Sequence, residues 1–540
     1  MAQFLHIQID ITLKKDSTTF LIFLAWLLHI AFGANCCAQD GSLDLTFGFG
    51  GRSLVTLDSV DAYGQAVAVQ KDGKIVVVGY TEGLPSSEAL VMRFTEKGNL
   101  DLQFGTAGIV STRIPQQYVK GVSSMALQND GKIILAGYVA DNLSKALLLI
   151  RLDTLGRLDT SFNHSGIILS NILGKPTKIY GMGLQKDGKI VLTGCIEKAT
   201  ADADLLMLRY NPDGSLDPAF DGDGMVVLDF GTTDESGRSL VLQDDGKILV
   251  TATDQKQFAD GLITLVRFNQ DGSQDFSFAQ EGKLKTNNSS AGSPSYGAMN
   301  STLLQKDQKI LVASTKSTVN DLFSVLARYQ NDGSIDQSFG VDGFVEASAA
   351  SSNFIELGYT LQVQRDGKIL RTGYRNGIAG SYYQTRRYLQ DGSVDTSFAN
   401  MGTSLVSFGK GLSAPIAMTL QKDDKILLAG YSIIDGRYEV AVARLLNKAS
   451  TTAIIDQRIL GELSVSPNPM QYTCRIHCNQ NLRNAEITIV DRTGQLVYAS
   501  SNLTGDTFTM SVENLPSGTY YLKVQENGHF GAGQWIVVDH

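Results

Sequence analysis

The residue types that could carry chemistry in this 540-residue chain are few. Its six histidines are His6, His29, His164, His477, His529 and His540. Only His164 falls in the repetitive body of the chain, inside Ser161-Phe162-Asn163-His164. That leaves no histidine pair for zinc and weakens any Ser-His-Asp arrangement. Cys195 ends the run Val191-Leu192-Thr193-Gly194-Cys195, which reads as a buried strand. Cys474 and Cys478 flank His477, a spacing open to a metal site or to two same-face strand residues; the strand reading is preferred. At ~3.3 Å per residue they lie about 13 Å apart, too far for a disulfide between them. No glycine-rich phosphate loop follows a strand and opens a helix. Two carboxylates in a cleft would suffice for glycoside hydrolysis, and Glu356, Asp234 and Glu235 fall in variable loops. No catalytic residue, metal or cofactor is assigned.

The elements that must position these residues recur. Lys71-Asp72-Gly73-Lys74 returns as Asn129–Lys132, Lys186–Lys189, Asp244–Lys247, Lys306–Lys309, Arg365–Lys368 and Lys422–Lys425. The final lysine steps by 58, 57, 58, 62, 59 and 57 residues. A second marker is an arginine at 93, 151, 209, 267, 328, 387 and 444, and a third is an aspartate in Asp-x-x-Phe at 44, 101, 159, 217, 275, 336 and 395. Each unit holds four short strand patterns, in the first at Gly64–Gln70, Lys74–Tyr80, Ala89–Phe94 and Gly108–Arg113. Asp-Gly turns join the first two. Four-stranded units of this length point to a β-propeller. The first Asp-x-x-Phe precedes any complete unit, so the segment Asp40–Leu57 is expected to give the last blade its outer strand. The fold class is therefore all-β, a seven-bladed β-propeller closed by an N-terminal strand.

These units resemble delta-60 repeats, through x-Asp-Gly-Lys-Ile-Leu-Val-x-Gly and Asp-Gly-Ser-Leu-Asp-x-x-Phe-Gly segments that occur seven times over about residues 40–446. The resemblance implies an exported repeat protein and no general activity. The repeated Arg and the Asp eight residues later are expected to pair once per blade, as scaffold. Asn211–Asp217 and Asn269–Asp275 look like the later part of a calcium loop. Arg209 and Arg267 stand where such a loop begins with Asp, and turn chemistry suits both segments better. Loops after the second and fourth strands vary and share one face, the better candidate for binding. Tyr63, Tyr118, Tyr180, Tyr296 and Tyr359 stand just before the inner strands there. They could stack a glycan or a peptide, or pack between blades.

Composition and the chain ends bound the function. With 54 Gly, 10 Pro and 19% charged residues the chain is globular and rich in tight turns. A net charge of −9 argues against nucleic-acid partners. Residues 1–38 read as a signal peptide: Lys14 and Lys15, an apolar run Phe20–Gly33, and cleavage between Ala38 and Gln39. No other stretch is long enough to span a membrane, so the mature chain is expected to have no span. The propeller is placed at 40–448, a linker at 449–463, and a small Ig-like β-sandwich at 464–540. This last domain resembles the type A C-terminal sorting domain of type IX secretion, through Ser466-Pro467-Asn468-Pro469, the Asp491–Gly494 turn, and Leu515-Pro516-Ser517-Gly518-Thr519-Tyr520-Tyr521. The resemblance implies the type IX machinery as partner. It also implies a route through the periplasm of a Gram-negative bacterium to the outer surface or beyond. The reading is a non-enzymatic binding or scaffold protein for an unknown surface ligand, glycan or protein. The alternative is a secreted enzyme acting on polysaccharide or another polymer at the channel face.

Overall fold

The computed structural model describes residues 39–57, 60–83, 87–141, 144–198, 202–231, 234–255, 262–287, 301–317, 322–348, 356–377, 380–409, 411–447, 463–466, 472–490, 496–511, 515–526 and 529–538. The segment expected to be a signal peptide, 1–38, and the expected linker as far as residue 462 lie outside these residues.

Each repeat forms a four-stranded antiparallel sheet. In blade 1 the strands run outward as Asp61–Val69, Ile75–Glu82, Ala89–Phe94 and Ile109–Thr112. The innermost strands of blades 2 to 7 are Tyr118–Leu127, Thr177–Leu184, Asp234–Leu242, Ser301–Leu304, Glu356–Val363 and Ser413–Leu420. Each packs against the innermost strands of both neighbours, so seven blades surround a central axis. The second and third strands are apolar on both sides because a blade is covered on both faces. Ile75 and Val77 join the core shared with blade 7, while Val76 and Val78 join the core shared with blade 2.

The N-terminal segment closes the ring. Arg52–Val55 pairs with the third strand of blade 7, Arg437–Leu445, in the register Arg52↔Ala443 to Val55↔Val440. Phe47 sits in one core with Leu427, Val440, Ile75 and Met92. All seven seams carry the same main-chain hydrogen bond, from the residue after the Asp-x-x-Phe phenylalanine to a turn carbonyl of the next blade. Asn163 donates to Asp213 at 2.8 Å, Ala279 to Asp332 at 2.8 Å, and Gly48 to Lys97 at 2.6 Å. The turn glycine beyond each seam lies over that phenylalanine. At Gly214 (φ +91°) an added Cβ would stand 3.0 Å from the Phe162 ring, so backbone angle and space both require glycine.

The Asp-Gly hairpins place Gly73, Gly131, Gly188, Gly246 and Gly367 at φ between +84° and +88°. Gln308 occupies the same place in blade 5 at φ +64°. A side chain in this left-handed region costs roughly 1 kcal/mol. Gln308→Gly is expected to raise the melting temperature and to stabilise by about 0.5–1 kcal/mol in chemical denaturation; an unchanged or lower midpoint would contradict this.

Two features depart from the repeat. Blades 3 and 4 are joined into one eight-stranded sheet by a single parallel pair, Ala203↔Asp234. In the C-terminal segment, where a small Ig-like sandwich is expected, the described strands are Leu463–Ser466, Thr473–Val490, Leu496–Ser511, Gly518–Glu526 and His529–Val538. They form one connected sheet. Two of these strands run long, and inside them Asn484 and Asn502 adopt φ +60° and +61° at irregularities of the ladder. Such bulges bend a strand without ending it. Cys474, Ile476 and Cys478 point into the core with Ile487, Phe508 and Leu522, while Arg475 and His477 are exposed. The two thiols are thus same-face strand residues, with His477 on the opposite face.

Candidate functional site

The hairpin face is built from one ion network per blade. The arginine at the end of the third strand, Arg209 in blade 3, donates from Nε to Asp217 at 2.6 Å. Its guanidinium lies 4.6 Å from the centre of the Phe220 ring, and Nη1 donates to the Gln270 carbonyl of blade 4. Lys189, from the Asp-Gly hairpin, approaches the same aspartate at 2.9 Å. The set repeats from Arg93–Asp101–Phe104 to Arg387–Asp395–Phe398. In blade 7 Arg444 finds its aspartate, Asp44, in the closing segment. These arginines are buried, as are the aspartates apart from the half-buried Asp159, and each arginine ties its blade to the next. This is the pairing the spacing suggests, and its uniform use makes it scaffold.

The network sets the acid limit of the fold. Burial pushes Asp275 up, but hydrogen bonds from Lys247, Ser277 and Arg267 outweigh it and hold its carboxyl far below the usual range. Asp336 and Asp395 behave alike. A depressed folded-state pKa gives stability that is present above the unfolded value, about 3.9, and is lost as pH falls through the folded value. The melting temperature is expected to respond little to these carboxylates above pH 5 and to fall steeply below pH 4. A flat profile to pH 2 would contradict that.

The opposite face carries the variable loops. Here the tyrosines do not form one ring. Tyr63 pairs in register with Tyr80 and stacks on it, centroids 5.1 Å apart. Tyr431 and Tyr438 of blade 7 complete a four-ring cluster at 5.4 and 4.7 Å from Tyr63. Burial, with Glu82 nearby, pushes the Tyr80 phenol up to about 12 and Tyr63 higher still. Tyr118 begins its strand opposite Ala140, with the Lys120 ammonium 5.7 Å from its ring centre. Tyr180 is unpaired, at a bulge between Ile179 and Gly181, under the guanidinium of Arg238 at 4.3 Å. Tyr359 occupies the matching bulge in blade 6; its side chain, and all of Tyr296, lie outside the described residues. Tyr63, Tyr118 and Tyr180 stand 11, 14 and 9 residues before the hairpin lysine, with Tyr359 also at 9, so they take three different register positions about a bulge that reverses the facing of the residues before it.

The comparisons with known proteins fall on this frame. A model described as a domain of unknown function (DUF5122) beta-propeller matches seven times, at residues 70–104, 128–162, 185–220, 243–278, 305–339, 364–398 and 421–447. A secretion system C-terminal sorting domain matches residues 464–538. The chain is a DUF5122 beta-propeller protein with a C-terminal sorting domain. No curated protein sequence matches it. Similar solved structures include a catalytically inactive virginiamycin B lyase from Staphylococcus aureus (10% identity, 73% of this chain and 98% of that one, TM-score 0.41). The polysaccharide lyase Uly1 (10%, 73% and 92%, 0.41) and Drosophila semaphorin 2a (9%, 92% and 99%, 0.42) are similar at the same level. At these values none bears on activity.

In the DUF5122 propeller the remaining sequence candidates are tied up locally. Asp213 and Asp271 accept hydrogen bonds from the backbone and hydroxyl of Ser215 and Ser273 at 2.6–3.0 Å, as turn residues. Cys195 is buried, and burial pushes its thiol up. Asp204, Asp229 and Glu235 bring carboxylate oxygens within 4.8 Å of one another. The Lys198 ammonium stands among them, 2.6 Å from Asp204 and 2.9 Å from Asp229. The side chains of Asp234 and Glu356 lie outside the described residues.

Sequence reasoning missed Tyr80, Tyr431, Tyr438 and Arg238, which only strand register brings to the site. It also missed a glutamine immediately after every innermost strand, from Gln70 to Gln421, although its recurrence seven times was a signal. Gln421 accepts from Arg444, and Gln243 donates to Asn331 of blade 5. In the sorting domain the Tyr520 hydroxyl donates to the Pro516 carbonyl at 2.7 Å, beside Gly518. This fixes the Leu515–Tyr520 turn. Pro467, Asn468 and Pro469 lie outside the described residues.

Proposed function

We propose that this is a non-enzymatic binding or scaffold protein that type IX secretion delivers to the outer surface or the surroundings of a Gram-negative bacterium. In this reading the signal peptide 1–38 is removed, leaving Gln39 first. The domain at 464–540, beyond a linker at 449–463, engages the secretion machinery. The propeller at 40–448 presents its variable face to a glycan or protein. The matched sorting domain marks the chain as secreted or surface-exposed, and no helix among the described residues is long and apolar enough to cross a membrane.

The observation that carries the binding reading is how the blades divide. Their hairpin face spends its charges on identical ion pairs, whereas the opposite face differs from blade to blade and clusters half-buried tyrosines. Where carboxyl pKa values are displaced, as at Asp217, Asp395 and Glu197, they are displaced downward against burial by lysine and arginine partners and hydrogen bonds. That suits ion pairing and not proton donation. The enzyme alternative draws on Asp204, Asp229 and Glu235, and Lys198 already engages the first two.

The test is a glycan and peptide array with the mature full-length chain beside a Tyr63→Ala/Tyr180→Ala variant. Binding by the native chain, at least tenfold weaker in the variant, is the expected result. Binding that survives unchanged would move the site off these tyrosines. Polysaccharide cleavage abolished by Glu235→Gln would favour the enzyme.

A further inference from the structure

The innermost strands of six blades share one irregularity. Their ladders skip a residue at the same place, leaving Gln65, Ser123, Tyr180, Arg238, Tyr359 and Ile416 unpaired. Neighbouring bulges meet around the axis: the Ser123 hydroxyl donates to the Ile179 carbonyl of blade 3 at 2.6 Å, and Arg238 of blade 4 stacks on Tyr180 of blade 3. The scaffold repeats here while the side chains differ, so this position is where the blades specialise.

Arg238 stands apart from the other cations of that region. Lys145 and Lys178 both hold Glu197, at 2.8 and 2.7 Å, and Lys198 holds Asp204 and Asp229. Arg238 is half-buried, its Nε has no hydrogen-bond partner, and no carboxylate among the described residues pairs with it. A cation withdrawn from water without a counter-charge is costly unless a ligand supplies one. Its planar fork matches a carboxylate, and the Tyr180 ring fixes its orientation.

We propose that Arg238, braced on Tyr180, receives a carboxylate of an acidic polysaccharide at the axial end of the variable face. This rests on the binding reading above and names its ligand class. A peptide adding itself as a strand is disfavoured, because the bulge interrupts the free edge of the innermost strand. Recognition is left to the guanidinium and to ring faces such as the Tyr63 cluster, which suit the carboxylate and the flat face of a uronic acid.

The test is titration calorimetry of the mature full-length chain with a galacturonate octamer and with its methyl ester, at low salt. The octamer is expected to bind, and esterification to weaken it tenfold or more. Arg238→Gln should lose at least tenfold, Arg238→Lys should recover part, and Arg365→Gln, an exposed arginine on the hairpin face, should match the native chain. Melting temperatures show whether each variant is folded. Equal binding of acid and ester, or full binding by Arg238→Gln, overturns the proposal. Binding of a neutral glycan or an acidic peptide in place of the octamer overturns it and leaves the binding reading standing. Failure of every glycan and peptide to bind overturns both.

Discussion

A chain lacking residues 39–57 is expected to lose cooperative folding and to associate. The deletion removes three things together. Arg444 loses Asp44, its partner at 2.9 Å, and is left charged and buried. Breaking a buried pair from one side costs about 3–5 kcal/mol. The Phe47 ring leaves a fully buried place between blades 7 and 1, for about another 3–5 kcal/mol. The strand Arg437–Leu445 loses Arg52–Val55 and becomes an open edge. The two energies together approach the whole stability of an ordinary domain, about 5–15 kcal/mol. An exposed edge also templates pairing with other chains. Size-exclusion chromatography and thermal melting of the truncated protein decide the matter, with a peptide of residues 39–57 added back to restore the monomer. A monomer that melts like the native chain would show that closure at this seam is dispensable.

Arg209→Met is expected to be the most damaging single substitution of the hairpin face. It leaves the Asp217 carboxylate buried with only Lys189, removes the contact over Phe220, and frees the Gln270 carbonyl that binds blade 3 to blade 4. A loss of about 3–5 kcal/mol in chemical denaturation is anticipated. Lys189→Met should cost only about 1 kcal/mol, because that lysine is partly exposed and its field is screened. Combining Arg209→Met with Asp217→Asn should cost less than the sum of the two, since no unpaired charge remains. A cost below about 1 kcal/mol for Arg209→Met would show that the network is a surface feature.

Most of the architecture was legible because repetition supplies its own control. A residue that returns seven times at a nearly constant step reports a place in the blade. The offset of Asp44 from its arginine, Arg444, reported that the ring closes through the N-terminal segment. The pairing of Arg209 with Asp217 could be read for the same reason. The site was less legible. Tyr63, Tyr118 and Tyr180 all precede the hairpin, but by 11, 14 and 9 residues from its final lysine, and a bulge at the ninth residue gives these positions different facings and neighbours. Tyr431 and Tyr438 lie 368 and 375 residues from Tyr63 and reach it only through closure of the ring. In the C-terminal domain, Asn484 and Asn502 sit at irregularities inside long strands, which bend a strand without ending it.

By itself the sequence determined what short-range chemistry controls: the hairpin turns, the strand pattern, the sevenfold count, and the ion pair eight residues apart. Tertiary structure alone decided which side chains meet across the seams and at the axis. It set Arg238 on Tyr180, brought Glu235 of blade 4 beside Asp204 and Asp229 of blade 3, and joined those blades into one sheet. These contacts depend on bulge register and on blade-to-blade packing, and a difference of one residue in register is invisible to composition and spacing but reverses the face on which a side chain stands.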